Sequence, residues 1–232
     1  MAEQTIHRHS AWVRLTHWMN ALCLALLAMS GMQIFNAHPA LYLGLQSDFV
    51  RPLLSLGRGF PSWLTLPGYQ DLATGRRWHF FVAWIFMVDG LFYLAFGIIG
   101  PHVRRDLLPS ATELSGIPHS VREHARLRFP HGEAARHYNV LQKLTYLVVI
   151  FGLLPLMLLT GLTMSPAIDT AFPWLLDVFA GRQTARTIHF AVAALLVLFT
   201  AVHLAMVLVS GLLNNVRSMI TGRYVLPPER AP

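Results

Sequence analysis

A chain of 232 residues in which 54% are hydrophobic and only 12% charged has too few charges to coat a soluble globule of its size. The formal charge of +7 does not point to nucleic acid, because the basic residues lie between apolar runs and build neither a recognition helix nor an aromatic platform. The single cysteine, Cys23, excludes intrachain disulfides, cysteine-held iron–sulfur clusters and a C-x-x-C-H haem attachment, so any haem is held by coordination alone.

Crossing a hydrocarbon core takes about 20 helical residues, and segments near 12–35, 79–100, 140–164 and 186–213 are long and apolar enough to do so. These predict an all-α membrane protein, a single domain over residues 1–232 folded as a four-transmembrane-helix bundle. Arg8 and Arg14 before the apolar stretch from Ala21 to Met29 imitate a signal peptide. His17 and Asn20 interrupt its start and no small-residue cleavage site follows, so the segment reads as a retained helix closed by Pro39. The stretch from Leu41 to Leu66 carries aromatics and leucines suited to an interfacial segment or a docked partner. The second helix opens at Trp78-His79, carries Asp89 in mid-span and ends before Pro101. The segment 101–139, with Glu113, Glu123 and Glu133 among arginines, reads as a solvated loop. Pro155 predicts a kink in the third helix, Pro166 ends it, and the run from Phe172 to Phe179 is a second interfacial stretch. The Asn214-Asn215 pair closes the fourth helix.

Arg8, Arg14, Arg104, Arg105, Arg122, Arg126, Arg128, Arg136, Lys143, Arg217, Arg223 and Arg230 fall on one side of such a bundle. Arg51, Arg58, Arg76, Arg77, Arg182 and Arg186 fall on the other. The positive-inside rule then puts both termini and 101–139 in the cytoplasm, and the loops 36–78 and 165–185 in the periplasm of a bacterial inner membrane.

Of the 12 histidines, His7, His9, His38, His102, His119, His124, His131 and His137 lie in polar or flanking stretches and read as solvated. His17, His79, His189 and His203 lie within or at the ends of spanning helices, where an ionisable group is costly. His189 and His203 are 14 residues apart, so both project from one helix face about 40° apart at depths differing by about 21 Å. Chain direction then places His17 level with His203 toward the cytoplasm, and His79 level with His189 toward the periplasm. Two bis-histidine pairs inside an apolar bundle suit two b-type haems, and with both axial positions filled the chemistry is electron transfer. The alternative is that each histidine simply bonds a neighbouring helix. Ser30-Gly31 and Thr160-Gly161 leave room for a ring or for close helix packing. Arg14, Arg76, Arg77 and Arg186 beside the ligands pair with haem propionates or anchor the helix ends.

The motif Arg14-Leu-Thr-His17-Trp18-Met-Asn20, Ser30-Gly31, Trp78-His79, Tyr138-Asn139-x-x-Gln142-Lys143-Leu144, and Arg186-x-x-His189 with His203 resembles the di-haem cytochrome b subunits of bacterial formate dehydrogenases, nickel-iron hydrogenases and thiosulfate reductases. The resemblance covers all four helices, and Asp89-Gly90 departs from the family's Asn-Gly. It implies that His17, His79, His189 and His203 ligate two haems b, with a quinone beside the cytoplasmic one. It also implies a periplasmic catalytic subunit of molybdenum or nickel-iron type. Asn139 and Gln142 then line the quinone pocket, unless they only cap the third helix. Asp89 either relays protons or stays protonated and bonded to a neighbour. The function expected is that of an electron-transfer subunit of an oxidoreductase complex, embedded in lipid and coupled to the quinone pool, with no catalytic residue of its own. Two other classes stay open: a free-standing di-haem oxidoreductase acting on superoxide, ferric iron or another small molecule, and a non-redox anchor or transporter.

Overall fold

The computed structural model describes residues 5–99, 103, 107–126 and 139–226. Four helical segments are long and apolar enough to cross a membrane: Ala11–Asn36, Leu72–Gly97, Val140–Thr163 and Arg182–Val209. Many of their large apolar side chains point outward, among them Leu22, Phe81, Trp84 and Val197, as expected where hydrocarbon rather than water is the solvent. His102, His131, His137, Arg104, Arg105, Arg128, Arg136, Arg230, Glu133 and Tyr138 lie outside the described residues, as does the side chain of His124.

In chain order the elements are β1 (Thr5–His7), α1 (Ala11–Asn36), β2 (Ala40–Leu41), β3 (Leu54–Ser55), α2 (Leu72–Ile99), α3 (Ala111–Ser115), α4 (Ile117–Ala125), α5 (Val140–Val148), α6 (Leu154–Thr163), α7 (Pro166–Ala171), α8 (Trp174–Val178), α9 (Arg182–Val209), α10 (Leu212–Thr221) and β4 (Arg223–Val225). Contacts divide the chain into two compact units, one of residues 1–18, 89–150 and 199–232, the other of 19–88 and 151–198.

Helix boundaries depart from the sequence reading where polar residues make up a first or last turn. Helix α2 starts at Leu72 rather than His79, because the Asp71 carboxylate accepts from the Thr74 N–H at 3.1 Å and so caps a polar turn that hydropathy leaves out. Helix α9 starts at Arg182 and stops at Val209. Asn214 and Asn215 lie inside α10, and the break is instead at Gly211, whose φ is 111°. Asn214 clips β4 with two bonds, donating to the Val225 carbonyl at 2.8 Å and accepting from its N–H at 3.0 Å. Between α5 and α6 the chain widens into a π-helical turn, Val149–Leu153, which ends two residues before Pro155. Proline has no N–H to give, and the wider turn absorbs the register change where a simple kink was expected.

In the first unit, β1 pairs antiparallel with β4, and Arg8 lies 4.5 Å over the Tyr224 ring. The Arg14 guanidinium donates to the Ile220 carbonyl, and the Trp18 indole to that of Met219 at 3.0 Å. These bonds join the start of α1 to the last turn of α10, whose final carbonyls lack helical partners. Glu113 is not free in solvent as the sequence suggested: it completes a capping box with Ser110 and reaches Lys143 Nζ at 2.7 Å. Lys143, only 6% exposed, gives the ion pair its strength. Its hydrogen bond, followed by bonds from Ser110, holds the Glu113 carboxyl below its ordinary value of 4.5. The stabilisation is therefore present above about pH 4.5 and lost as pH falls through the lowered value. Glu113→Gln is expected to cost about 1–3 kcal/mol, between exposed and buried pairs, and to remove that acid-side loss in thermal melts taken across pH.

In the other unit, β2 and β3 form a short hairpin. Gly44 just beyond β2 docks on the start of α9, its N–H donating to Thr184 Oγ1 at 2.7 Å and its carbonyl accepting from the Gln183 N–H at 2.9 Å. Gly181 has φ 107°, and a Cβ there would fall 2.4 Å from the Gly44 carbonyl oxygen, so only glycine lets this loop set where α9 begins.

Candidate cofactor sites

The second unit brings His79 of α2 and His189 of α9 together, their ring centroids 6.2 Å apart and their planes at 63°. The first unit does the same for His17 of α1 and His203 of α9, again at 6.2 Å, with planes at 57°. An imidazole bound through Nε2 at about 2.0–2.1 Å puts its centroid about 3.2 Å from the metal, so two across one ion lie about 6.4 Å apart. Both separations match a single ion between the rings. Among the described residues no three histidine, cysteine, aspartate or glutamate side chains gather, so each site offers two protein donors. A porphyrin supplies the other four positions of a six-coordinate iron, and the donor set fits bis-histidine haem.

The surroundings of His79 and His189 repeat each other. His79 Nδ1 lies 3.1 Å from Ser30 Oγ, whose proton goes to the Leu26 carbonyl at 2.7 Å. His189 Nδ1 lies 3.1 Å from Thr160 Oγ1, whose proton goes to the Leu156 carbonyl at 2.7 Å, and also 3.1 Å from the Met157 carbonyl. Facing acceptors, Nδ1 carries the hydrogen and Nε2 keeps its lone pair, the tautomer a metal ligand needs. A Cβ on Gly31 would meet His79 Cε1 at 3.4 Å, and one on Gly161 would meet His189 Cε1 at the same distance. Sequence reading took Ser30 and Thr160 as small residues that leave room and missed their hydroxyls. The signal available was an internal repeat: Leu26-Leu27-x-x-Ser30-Gly31 with Arg76-x-x-His79-Phe80 recurs as Leu156-Met157-x-x-Thr160-Gly161 with Arg186-x-x-His189-Phe190.

The His17 and His203 pair is framed differently. Trp18 sets its edge against His17 at 5.3 Å, and Phe199 stacks on His203 at 6.0 Å. His17 Nδ1 and Arg14 Nε are buried with no hydrogen-bond partner among the described residues. Asp89 Oδ2 is likewise buried without one.

The arginines singled out beside the ligands have separate surroundings. Arg186 donates to the His38 carbonyl at 2.6 Å and lies 5.7 Å over the Phe35 ring, Arg76 lies 5.7 Å over Phe80, and the Arg77 side chain is exposed. His38, expected in solvent, instead bonds Tyr42 Oη at 2.7 Å and stacks on its ring. Asn139 and Gln142 form a capping box on α5: Asn139 Oδ1 accepts from the Leu141 N–H at 2.9 Å, and Gln142 Oε1 accepts from the Asn139 N–H at 3.1 Å.

Four membrane-length helices and two histidine pairs spaced for one ion each define the molecule as a multi-pass membrane protein of cytochrome type. Residues 8–222 match the sequence profile of prokaryotic cytochrome b561, and the chain belongs to that family. It is similar to a candidate protein-methionine-sulfoxide reductase subunit, YedZ1, of Azospira oryzae, with 30% identity over 207 residues that make up 89% of this chain and 93% of the relative. The chain is thus a bacterial membrane haem protein of electron transfer, with haem b as its cofactor.

Proposed function

We propose that the chain carries electrons through two haems b between a quinone site beside His17 and His203 and a redox partner on the opposite, periplasmic face of the inner membrane. The observation that carries this reading is the equal 6.2 Å separation of the two pairs. His79 and His189 hold one haem and His17 and His203 the other. Bound iron takes up and releases one electron at a time between its ferric and ferrous forms. Each pair of imidazoles would hold one haem iron and leave it no site for another ligand. Arg14, whose Nε has no partner among the described residues, and Arg186 and Arg77 are the cations for propionates.

The relative's name describes a subunit of a protein-methionine-sulfoxide reductase, and a partner reductase of that chemical class is proposed here, of molybdenum type. A sulfoxide takes two electrons and two protons to give a thioether and water, so electrons run from quinol to the His17/His203 haem, then to the His79/His189 haem, then outward. The partner docks on the loops of the second unit, where Trp63, Phe172 and Trp174 are 75%, 48% and 56% exposed. The test is a reduced-minus-oxidised spectrum with haem quantification on the purified chain. Two b haems per chain, reduced by a quinol analogue, are expected; one haem, or a folded colourless protein, overturns the reading.

A further inference from the structure

We propose that Ser30 and Thr160 are positioning residues that strengthen His79 and His189 as iron ligands and so hold that centre at a lower reduction potential than apolar residues in their places would. The inference rests on the proposed placement of a haem between these two histidines. Each hydroxyl has one proton, directed to the carbonyl one turn back, Leu26 for Ser30 and Leu156 for Thr160, at 2.7 Å in both. Toward the imidazole, 3.1 Å away, each oxygen can therefore only accept. An acceptor on Nδ1–H pulls the hydrogen outward and returns electron density to the ring, making Nε2 the stronger donor. A stronger donor favours ferric over ferrous iron, while the Nδ1 proton stays in place as the iron takes up its one electron.

Both hydroxyl residues are completely buried, at 0% exposure, so no water competes for these bonds. The glycine that follows each one brings the helix backbone against the ring, 3.4 Å from Cε1 to where a Cβ would stand. The same device, with the same distances, stands on α1 facing α2 and on α6 facing α9. Ser and Thr in membrane helices often bond the carbonyl one turn back for local satisfaction alone. That role would leave the iron indifferent to their removal, which is what an experiment can separate. His17, whose Nδ1 is buried without a partner among the described residues, makes the other centre an internal reference.

The experiment is potentiometric titration of the purified di-haem protein, with haem counting, for Ser30→Ala, Thr160→Val and the double variant. Each single variant is expected to shift one haem component to more positive potential, the double variant to shift it further, and the other component to stay put. Ser30→Thr and Thr160→Ser should restore the native value. Unmoved potentials with both haems retained overturn the proposal, as does a shift of the component that His17→Ala removes. A His79→Ala variant with unchanged haem content would overturn the underlying haem placement instead. Should a variant lose haem, histidine ¹⁵N spectra of the haem-free protein read the same bond: changes at His79 and His189 alone support the proposal, and unchanged spectra overturn it.

Discussion

His79→Ala or His189→Ala is expected to halve the haem content by removing one redox component, and His17→Ala or His203→Ala to remove the other. The physical reason is that each pair closes to a centroid separation of 6.2 Å, while His189 and His203, 14 residues apart on one helix, are separated by about 21 Å of helical rise, too far for either to replace a lost ligand of the other pair. In the proposed placement, a haem that lost one of its two histidines would be held by a single imidazole and by packing. The His79/His189 variants should also be less damaging to the remaining chain than their burial suggests, because Ser30 and Thr160 keep their bonds to the Leu26 and Leu156 carbonyls. Haem per chain from pyridine haemochrome spectra, together with a redox titration, checks this. A crossed result, with His17 and His189 variants losing the same component, would sink the pairing.

Gln142→Ala is expected to slow haem reduction by quinol about 10- to 100-fold while both haem bands persist, the loss of one transition-state hydrogen bond worth about 1–3 kcal/mol. The capping box uses the oxygens of Asn139 and Gln142 as acceptors, at 2.9 and 3.1 Å, so their amide NH₂ groups are left as the donors that the proposed quinone site would use. The same substitution breaks half of the box, so a stability loss of about 0.5–2 kcal/mol accompanies it. Stopped-flow reduction and thermal melts on one preparation separate the two effects. Native quinol kinetics in the Asn139→Ala, Gln142→Ala double variant, alongside a lower melting temperature, would leave these residues as caps and nothing more.

The class of molecule was legible without coordinates because the bilayer imposes a one-dimensional rule. A spanning helix must satisfy its backbone internally and present about 20 apolar residues, and all four spans obey it. The four histidines stood out for the same reason, as ionisable groups placed where charge is costly. Their pairing follows from helix direction and rise, and the structure brings together the pairs that depth suggests. Helix ends were misjudged where capping decides them: Asp71 extends α2 backward, Gly211 cuts α9 short, and Gly181 against Gly44 sets the start of α9.

Hydropathy sees none of those three, since each is a matter of a carboxylate, a positive φ or a backbone contact between distant residues. The partners of the polar groups were likewise invisible along the chain. Glu113 finding Lys143 at 2.7 Å, Arg186 finding the His38 carbonyl at 2.6 Å and Ser30 finding His79 at 3.1 Å join residues 30, 148 and 49 positions apart. What the amino-acid sequence determined by itself is the solvent this protein folds in and the ligands it can offer, both properties of residue type and helical period. What only the tertiary structure decided is which acceptors the Nδ1 atoms of His79 and His189 face. That depends on packing between helices, and no rule of spacing along a single helix contains it.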